Sequence, residues 1–315
     1  MPDMIESGSH STGFNPAVFN LPANVAMRWE LPHPSLARFI GDYFVFDSEG
    51  EELMGARSPI LPTWPMIRFV LAEQPMTIEA PGAVWSPLPE AGFYGSASRI
   101  MEHTSYGGVT VGVNLTPAGV ARLLNIDLSQ YCDRMVPLDE VARDTCQPLI
   151  VELRASDQGP AVKAILDRFF LERMDTPSRD EERIIRLNHL LLDERIRTAK
   201  ELARELELHS RTLQRLSLKR FGYSPQTLIA RTRFLRSLIA VKAAGTKDAY
   251  RAIDESYTDV SHFLRDCERF LGMTARRFFK LEMPFLDAVL RVRKATLDVA
   301  TPGLGPATYR VPERP

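Results

Sequence analysis

Apolar residues between positions 25 and 141 come in short runs punctuated by proline and glycine, a texture of strands rather than helices. Ile67-Arg68-Phe69-Val70-Leu71 and Val109-Thr110-Val111-Gly112-Val113 are brief, β-branched and bounded by turn residues. A short helix is expected over 117–124, with Thr116 as N-cap and Pro117 at the first helical position. Over 157–174 the period changes. Val162, Ile165, Leu166, Phe169 and Phe170 recur three and four apart and predict an amphipathic helix. Asp175-Thr176-Pro177-Ser178 breaks that helix and reads as an interdomain joint.

After Asp180 the helical period persists. Ile184, Ile185, Leu187, Leu190 and Leu191 share one face of a helix over 182–193. Thr198 and Glu201 make a Thr-x-x-Glu capping box that opens a helix over 199–206. The turn Glu207-Leu208-His209 leads to a helix over 210–221, with Gly222 placed to end it. Ser224 and Pro225 then start a long helix that Gly245 stops. The tail beyond Pro284 is expected to be loosely ordered and carries no recognisable chemistry.

Sliding the chain by 50 positions superimposes two segments: Ala199 falls on Ala249, Leu213 on Phe263, Arg215 on Arg265, Lys219 on Arg269, Phe221 on Leu271, Gly222 on Gly272 and Ser224 on Thr274. Each copy reads as short helix, tight turn, longer helix and a Gly-x-Ser/Thr stop. That is the grammar of a helix-turn-helix, in which apolar residues lock two helices and leave the outer face of the second to enter a groove. Ala203, Leu206, Leu213, Leu216 and Phe221 suit the lock in the first copy; Ile253, Tyr257, Phe263, Cys267 and Phe270 suit it in the second. A straight helix between the copies would hold two reading helices about one DNA turn apart, roughly 34 Å.

Charge sharpens this reading. The net charge is −1, yet residues 178–283 carry 22 basic against 15 acidic side chains, or +7, and the remainder carries −8. From 208 to 247 there are nine basic residues and no acidic one. On ordered helices such a run implies a surface that faces phosphates. A hydrophobic content of 44% with 25% charged residues excludes wholesale disorder. The opening residues lack the pattern of a signal peptide, and no apolar stretch is long enough to span a membrane. Three scattered cysteines, Cys132, Cys146 and Cys267, suit neither a disulfide framework nor a four-cysteine zinc site, so a cytoplasmic location is expected.

The segments "ELARELELHSRTLQRLSLKRFGYSP" and "ESYTDVSHFLRDCERFLGMTARRF" resemble the DNA-binding domain of the AraC/XylS family of transcription regulators. The resemblance covers about 100 residues, 182–280. It implies a seven-helix domain that sets two reading helices into successive major grooves. More weakly, "RSPILPTWP" and "VGVNLTPAGVARLLNI" resemble the cupin-like sensory domains that precede this module. The fold expected is α+β and multidomain: a flexible N-terminus (1–24), a β-rich cupin-like barrel (25–150), a connecting helix and linker (151–178), an all-α double helix-turn-helix domain (179–283) and a C-terminal tail (284–315). Three departures fall in the second unit: Ser256 where the family usually has glycine, Cys267 where phenylalanine is common, and Ala275 where proline is usual.

Arg211, Gln214 and Arg215 project from the first reading helix. Arginine can pair with guanine and glutamine with adenine through two hydrogen bonds, each pair discriminating by about 1–3 kcal/mol. The matching positions in the second unit are Val260, Ser261, His262 and Arg265. Val260 offers only apolar contact, and His262 suits a structural or phosphate role as well as base reading. Lys219, Arg220, Thr227, Arg269 and Arg276 are placed for phosphates, which position without specifying.

The N-terminal half shows no P-loop, GxGxxG, HExxH or GxSxG pattern, so no enzyme activity and no cofactor are expected. His33 and His103 lack a third ligand at recognisable spacing, so no metal is expected. Trp64, Phe69, Trp85, Phe93, Tyr94 and Tyr106 could line an effector pocket or simply fill a core. The partners implied are double-stranded DNA, RNA polymerase and a small-molecule effector, for a monomer or homodimer. The competing readings are a protein-interaction module whose helix-turn-helix units no longer bind duplex DNA, and an enzyme housed in the barrel.

Overall fold

Period-two alternation in the first half of the chain produces ten strands: β1 (Val25–Glu30), β2 (Ile40–Ser48), β3 (Ala56–Ile60), β4 (Met66–Val70), β5 (Thr77–Ala80), β6 (Ala83–Trp85), β7 (Ala91–Tyr94), β8 (Met101–Ser105), β9 (Gly108–Leu115) and β10 (Met135–Pro137). The computed structural model describes residues 4–73, 76–245 and 249–297. The strands form two antiparallel sheets, a six-stranded one ordered β1-β2-β9-β4-β7-β10 and a four-stranded one ordered β3-β8-β5-β6.

The sheets do not close into the barrel expected from the strand texture. The large sheet's two edges are occupied otherwise. Gly8 bridges Arg28 alongside β1, its amide donating to the Met27 carbonyl (3.1 Å), and β10 ends at Pro137, which has no N–H to offer. Residues 4–24, expected to be flexible, are therefore tied down: the Ile5 amide donates to Asp47 Oδ2 (2.9 Å) and Phe19 is buried.

Alternation gives the large sheet two different faces. Tyr43, Val45, Ile67, Phe69, Phe93, Val111 and Val113 point outward into one apolar core with helices. Their neighbours Met27, Trp29, Phe44, Met66 and Tyr94 point the other way, toward the small sheet. At the centre, Gly112 pairs in register with both Phe44 and Arg68. A Cβ there would lie 1.8 Å from the Phe44 ring, so glycine is what lets that ring lie across the strand.

The helical core follows. α1 (Pro117–Gly119) is capped by Thr116 Oγ1, which accepts from the Gly119 amide (3.0 Å), and continues as a wider turn over Val120–Leu124. α2 (Gln147–Ala155), not foreseen in the sequence, and α3 (Ala161–Glu172) pack on the outer face, with Phe170 stacked on Tyr43 at 6.5 Å. α3 starts four residues later than the expected 157 because Asp157 Oδ1 accepts from the amides of Gly159 (2.9 Å) and Ala161 (3.0 Å), holding the chain in a turn. α4 (Glu181–Leu190) brings Ile184, Ile185 and Leu187 to the same core. The helices that follow are α5 (Ala199–Glu205), α6 (Ser210–Phe221), α7 (Pro225–Ala244), α8 (Val260–Leu271) and α9 (Ala275–Phe278).

Most of the described part of the C-terminal tail is helix. α10 (Pro284–Leu297) buries Ala288 and Val292, one turn apart, against the sheets, and expected looseness gives way because that stripe has a core to join. Residues 298–315 lie outside the described part. Arg293 of α10 forms an ion pair with Asp42 of β2, both at most 2% exposed, and the Asn114 amide donates to the same carboxylate (2.6 Å).

Removing one member of a buried pair leaves the other charge uncompensated. Arg293→Ala is therefore expected to lower stability by about 3–5 kcal/mol, whereas Arg293→Met combined with Asp42→Asn should recover most of it. Urea denaturation measures both; equal losses for the single and double variants would refute the pairing.

Candidate nucleic-acid interface and a cavity between the sheets

The two helix-turn-helix units share their second helix, its glycine stop and the cap that follows. In the first, the capping box opens α5: Thr198 Oγ1 accepts from the Glu201 amide (3.2 Å), and the Glu201 carboxylate accepts from the Thr198 amide (2.9 Å). That carboxylate is held below its ordinary value, chiefly by the Arg197 amide that also donates to it. Glu207 takes a left-handed conformation (φ 55°) to turn the chain, and Leu202, Ala203, Leu206, Leu213, Leu216 and Phe221 lock α5 to α6. α6 stops at Gly222 (φ 86°), where a Cβ would lie 2.3 Å from the Cys132 sulfur. Ser224 then caps α7 by accepting from the Thr227 amide (3.2 Å).

Fifty positions later, Phe263, Cys267 and Phe270 are buried, α8 stops at Gly272 (φ 64°), and Thr274 caps α9 by accepting from the Arg277 amide (3.3 Å). The second unit differs at its front: its leading helix is a 3-10 turn over Ala249–Ala252. Asp254 is occupied there by the Ser256 amide (2.9 Å) and hydroxyl (2.6 Å) and by Arg236 (2.7 Å). Ser256 thus supplies two of the hydrogen bonds that close that turn.

Arg211, Arg215 and Lys219 are exposed on α6 and make no ion pair among the described residues, while Gln214 and Thr227 are half-buried. Val260, Ser261, Arg265 and Arg269 are exposed on α8, as is Arg276 on α9. His262 is engaged from several sides. Its amide donates to Asp259 Oδ1 (2.7 Å), its ring meets Tyr257 edge-on at 4.9 Å, and its nitrogens lie near Thr258 Oγ1 (3.3 Å) and Arg233 (3.4 Å).

The acid-free basic run divides at Arg220, which is only 8% exposed, with Nε and Nη1 buried and unpartnered, so it is not a free phosphate ligand. Beyond it the cations of α7 turn inward. Arg233 pairs with Asp266 (3.1 Å), Arg236 with Asp254 (2.7 Å) and Lys242 with Asp287 (2.9 Å), all acids from later in the chain. Lys247 lies outside the described residues.

Arg231 goes deepest. At 1% exposure, its guanidinium donates to the Ala97 carbonyl (3.0 Å) and, more weakly, that of Thr63 (3.5 Å), and lies over the rings of Trp64 (4.3 Å) and Tyr223 (5.5 Å). Burial pulls it down to about 10, still charged at neutral pH. The loop between β7 and β8 also accepts from Tyr223 Oη through the Ser96 carbonyl (2.7 Å), and its Ile100 amide donates to the Phe270 carbonyl at the end of α8 (2.9 Å). One loop of the β-rich half thus touches both units.

A cavity of about 110 Å³ lies between the sheets and α10. None of the six aromatic residues singled out from sequence lines it. Trp64 packs edge-on against Phe221 at 5.5 Å, Phe69 and Phe93 face the other side of the sheet, Tyr94 is buried behind Arg68, Trp85 lies on β6 packed against the inter-sheet cluster, and Tyr106 is exposed. Other positions do the lining: Phe44 and Phe46 of β2, Met66 and Arg68 of β4 and His103 of β8 among them. Arg68, flanked in sequence by two core residues, was the legible signal for it, as a lone cation inside an apolar strand.

Burial holds the His103 imidazole down to about 3, with the Arg68 charge acting in the same direction. The unfolded chain takes up that proton near the ordinary pKa of about 6.5, so stability is lost as pH falls between the two values, at up to about 1.4 kcal/mol per pH unit. His103→Gln should flatten the decline of the urea midpoint between about pH 6 and about pH 4. Parallel declines in both proteins would refute the buried, neutral imidazole.

No family model and no curated protein sequence matches the chain. Similar solved structures include ToxT from Vibrio cholerae, at 12% identity and a TM-score of 0.41, covering 72% of this chain and 94% of that one. Unsaturated fatty acid bound wild-type ToxT from strain SCE256 is similar at 10% identity and a TM-score of 0.41, with 82% and 96% covered. The AraC-like transcriptional activator CuxR is similar at 15% identity and a TM-score of 0.21, with 73% and 92% covered.

Proposed function

We propose that this chain is a sequence-specific DNA-binding regulator of transcription, with the β-rich residues 25–150 as sensor, 151–178 as connector and 179–283 as the DNA-binding part. The observation that carries this reading is the pair of helices that each end at a left-handed glycine, α6 and α8, each with exposed cations and joined through one largely buried helix, α7. Arg211, Gln214 and Arg215 read bases from the first unit; Val260, Ser261 and Arg265 do so from the second, with His262 holding the start of α8 in place. Lys219, Arg269 and Arg276 supply phosphate contacts, and Thr227 meets the backbone at the start of α7.

A second reading has its own support. Val260 (39% exposed) and Leu264 (38%) lie four apart on α8 and make a small apolar strip, which suits a protein partner better than DNA.

Arg215→Ala is expected to cost about 1–3 kcal/mol on the cognate site and to relax the preference at one base pair. Lys219→Ala should weaken cognate and random duplexes alike and reduce the salt slope by about one. Fluorescence anisotropy with the chain's own upstream region and a random duplex, over a salt series, separates these outcomes. Equal losses on both duplexes for Arg215→Ala would remove its base-reading role, and no duplex binding by the unaltered chain would favour the protein-partner reading.

A further inference from the structure

We propose that α10 is a clamp that fastens the second helix-turn-helix unit to the sheets, whereas the first unit is part of the sheets' own core. The freedom built into this fold is then that of α8 relative to α6. Leu213, Leu216 and Phe221 of α6 lie in one continuous apolar cluster with Phe69, Phe93 and Val111 of the large sheet. The joint expected over 175–178 is pinned. Arg122 donates to the Asp175 carbonyl and, through Nε and Nη2 at 2.8 Å each, to the Glu181 carboxylate at the start of α4. Just past α6, Tyr223 Oη donates to the Ser96 carbonyl (2.7 Å). A close-packed core moves as a body, so α6 goes where the large sheet goes.

The second unit packs around a different core. Along α7 the change comes between Ile229, in the first cluster, and Phe234, in a second one with Phe263 and Phe270 of α8. From the β-rich half this second cluster takes in Leu61, with Ile100 packed against it, and the Ile100 amide donates to the Phe270 carbonyl (2.9 Å). Those contacts come from two loops. Arg231 holds α7 near its middle, and a helix held at one place leaves its far end free to swing.

α10 supplies the second hold. Met283 is buried in the second cluster and Leu286 packs against it, while Phe285 between them meets Phe46 of β2 at 4.6 Å. The chain passes from one core to the other within a single helical turn. Beyond that turn the helix is seated on the sheets: Ala288 and Val292 are buried in the inter-sheet cluster, Arg293 pairs with Asp42, and Arg291 Nε donates to the Val18 carbonyl (3.1 Å). From α7, by contrast, α10 stands off. An open groove of about 1110 Å³ lies between them, lined by Ile239 and Ala243 on one side and Leu290 on the other, and Lys242 and Asp287 pair across it (2.9 Å). The seat of α10 is thus the sheets, and its grip on the second unit is its first turn. A regulatory use of the clamp, setting where α8 stands when α6 is already placed, rests on the function proposed above; the clamp itself does not.

The test is electron paramagnetic resonance distance measurement between paired spin labels on the full chain without DNA, so that its outcome is independent of duplex binding. The labelled variants are V151C/L218C and V151C/L264C, at exposed positions of α2, α6 and α8, in a C132S background because Cys146 and Cys267 are buried. α2 belongs to the first cluster and serves as the reference for the sheets. With α10 intact, both distance distributions are expected to be narrow. Adding M283G/L286G loosens the grip of α10 on the second unit and leaves Ala288, Val292 and Arg293 in their seats. It should widen the 151–264 distribution by several ångströms and leave the 151–218 distribution unchanged. The proposal is overturned if the 151–264 distribution is wide before the glycine substitutions, if it stays narrow after them, or if the 151–218 distribution widens with it. That last result would make the two units one body hinged to the sheets.

Discussion

The arrangement of the two halves depends on Arg231, a charge carried into a place that water does not reach. Its guanidinium finds backbone carbonyls from one side and the Trp64 and Tyr223 rings from the other, and no carboxylate. Carbonyl dipoles and ring faces can hold a cation at low local dielectric, although they compensate less than an anion would. Because Arg231 sits on α7, and α7 separates the two units, this contact fixes where α6 and α8 stand relative to the sheets. The apolar core agrees with it: Phe93 of the large sheet and Phe221 of α6 belong to one continuous cluster. Any rearrangement of the loops that carry Thr63 and Ala97 must therefore be felt along α7.

The sheet is built to have two uses because its side chains alternate. Odd positions of β4, Ile67 and Phe69, join the helical core; even ones, Met66 and Arg68, face the small sheet. Such a strand is buried on both sides, so an apolar run with one arginine in it reads as core until the partner sheet is known. Gly112 completes the arrangement by yielding its side-chain space to Phe44, over which Arg68 lies. The polar group in the cavity and the apolar floor beneath it are consequences of the same register.

Charge on the helices was legible only in part. The acid-free stretch from 208 to 247 suggests one cationic surface, yet three of the α7 cations meet aspartates from positions 254, 266 and 287, and Arg231 meets none. A local window cannot reveal partners supplied from tens of residues away. The exposed group on α6, Arg211, Arg215 and Lys219, was visible because its spacing from Leu213 and Leu216 is set by the helix period itself. His262 shows the same limit: its position near the start of α8 is a matter of sequence, while its engagement with Tyr257 and Arg233 is a matter of packing.

The sequence by itself determined the local elements of the C-terminal half: the capping box at Thr198, the glycine stops at Gly222 and Gly272, the caps at Ser224 and Thr274, and the fifty-residue repeat that relates them. These are decided within a few residues, by hydrogen bonds that side chains make to nearby amides and by the freedom of glycine at positive φ. Only the tertiary structure decided that the sheets stay open, that α10 packs instead of trailing, that the six aromatic residues avoid the cavity, and that Arg68 stands within it unpaired. Each of these depends on which distant surfaces meet, and burial and charge compensation are properties of that meeting rather than of any stretch of chain.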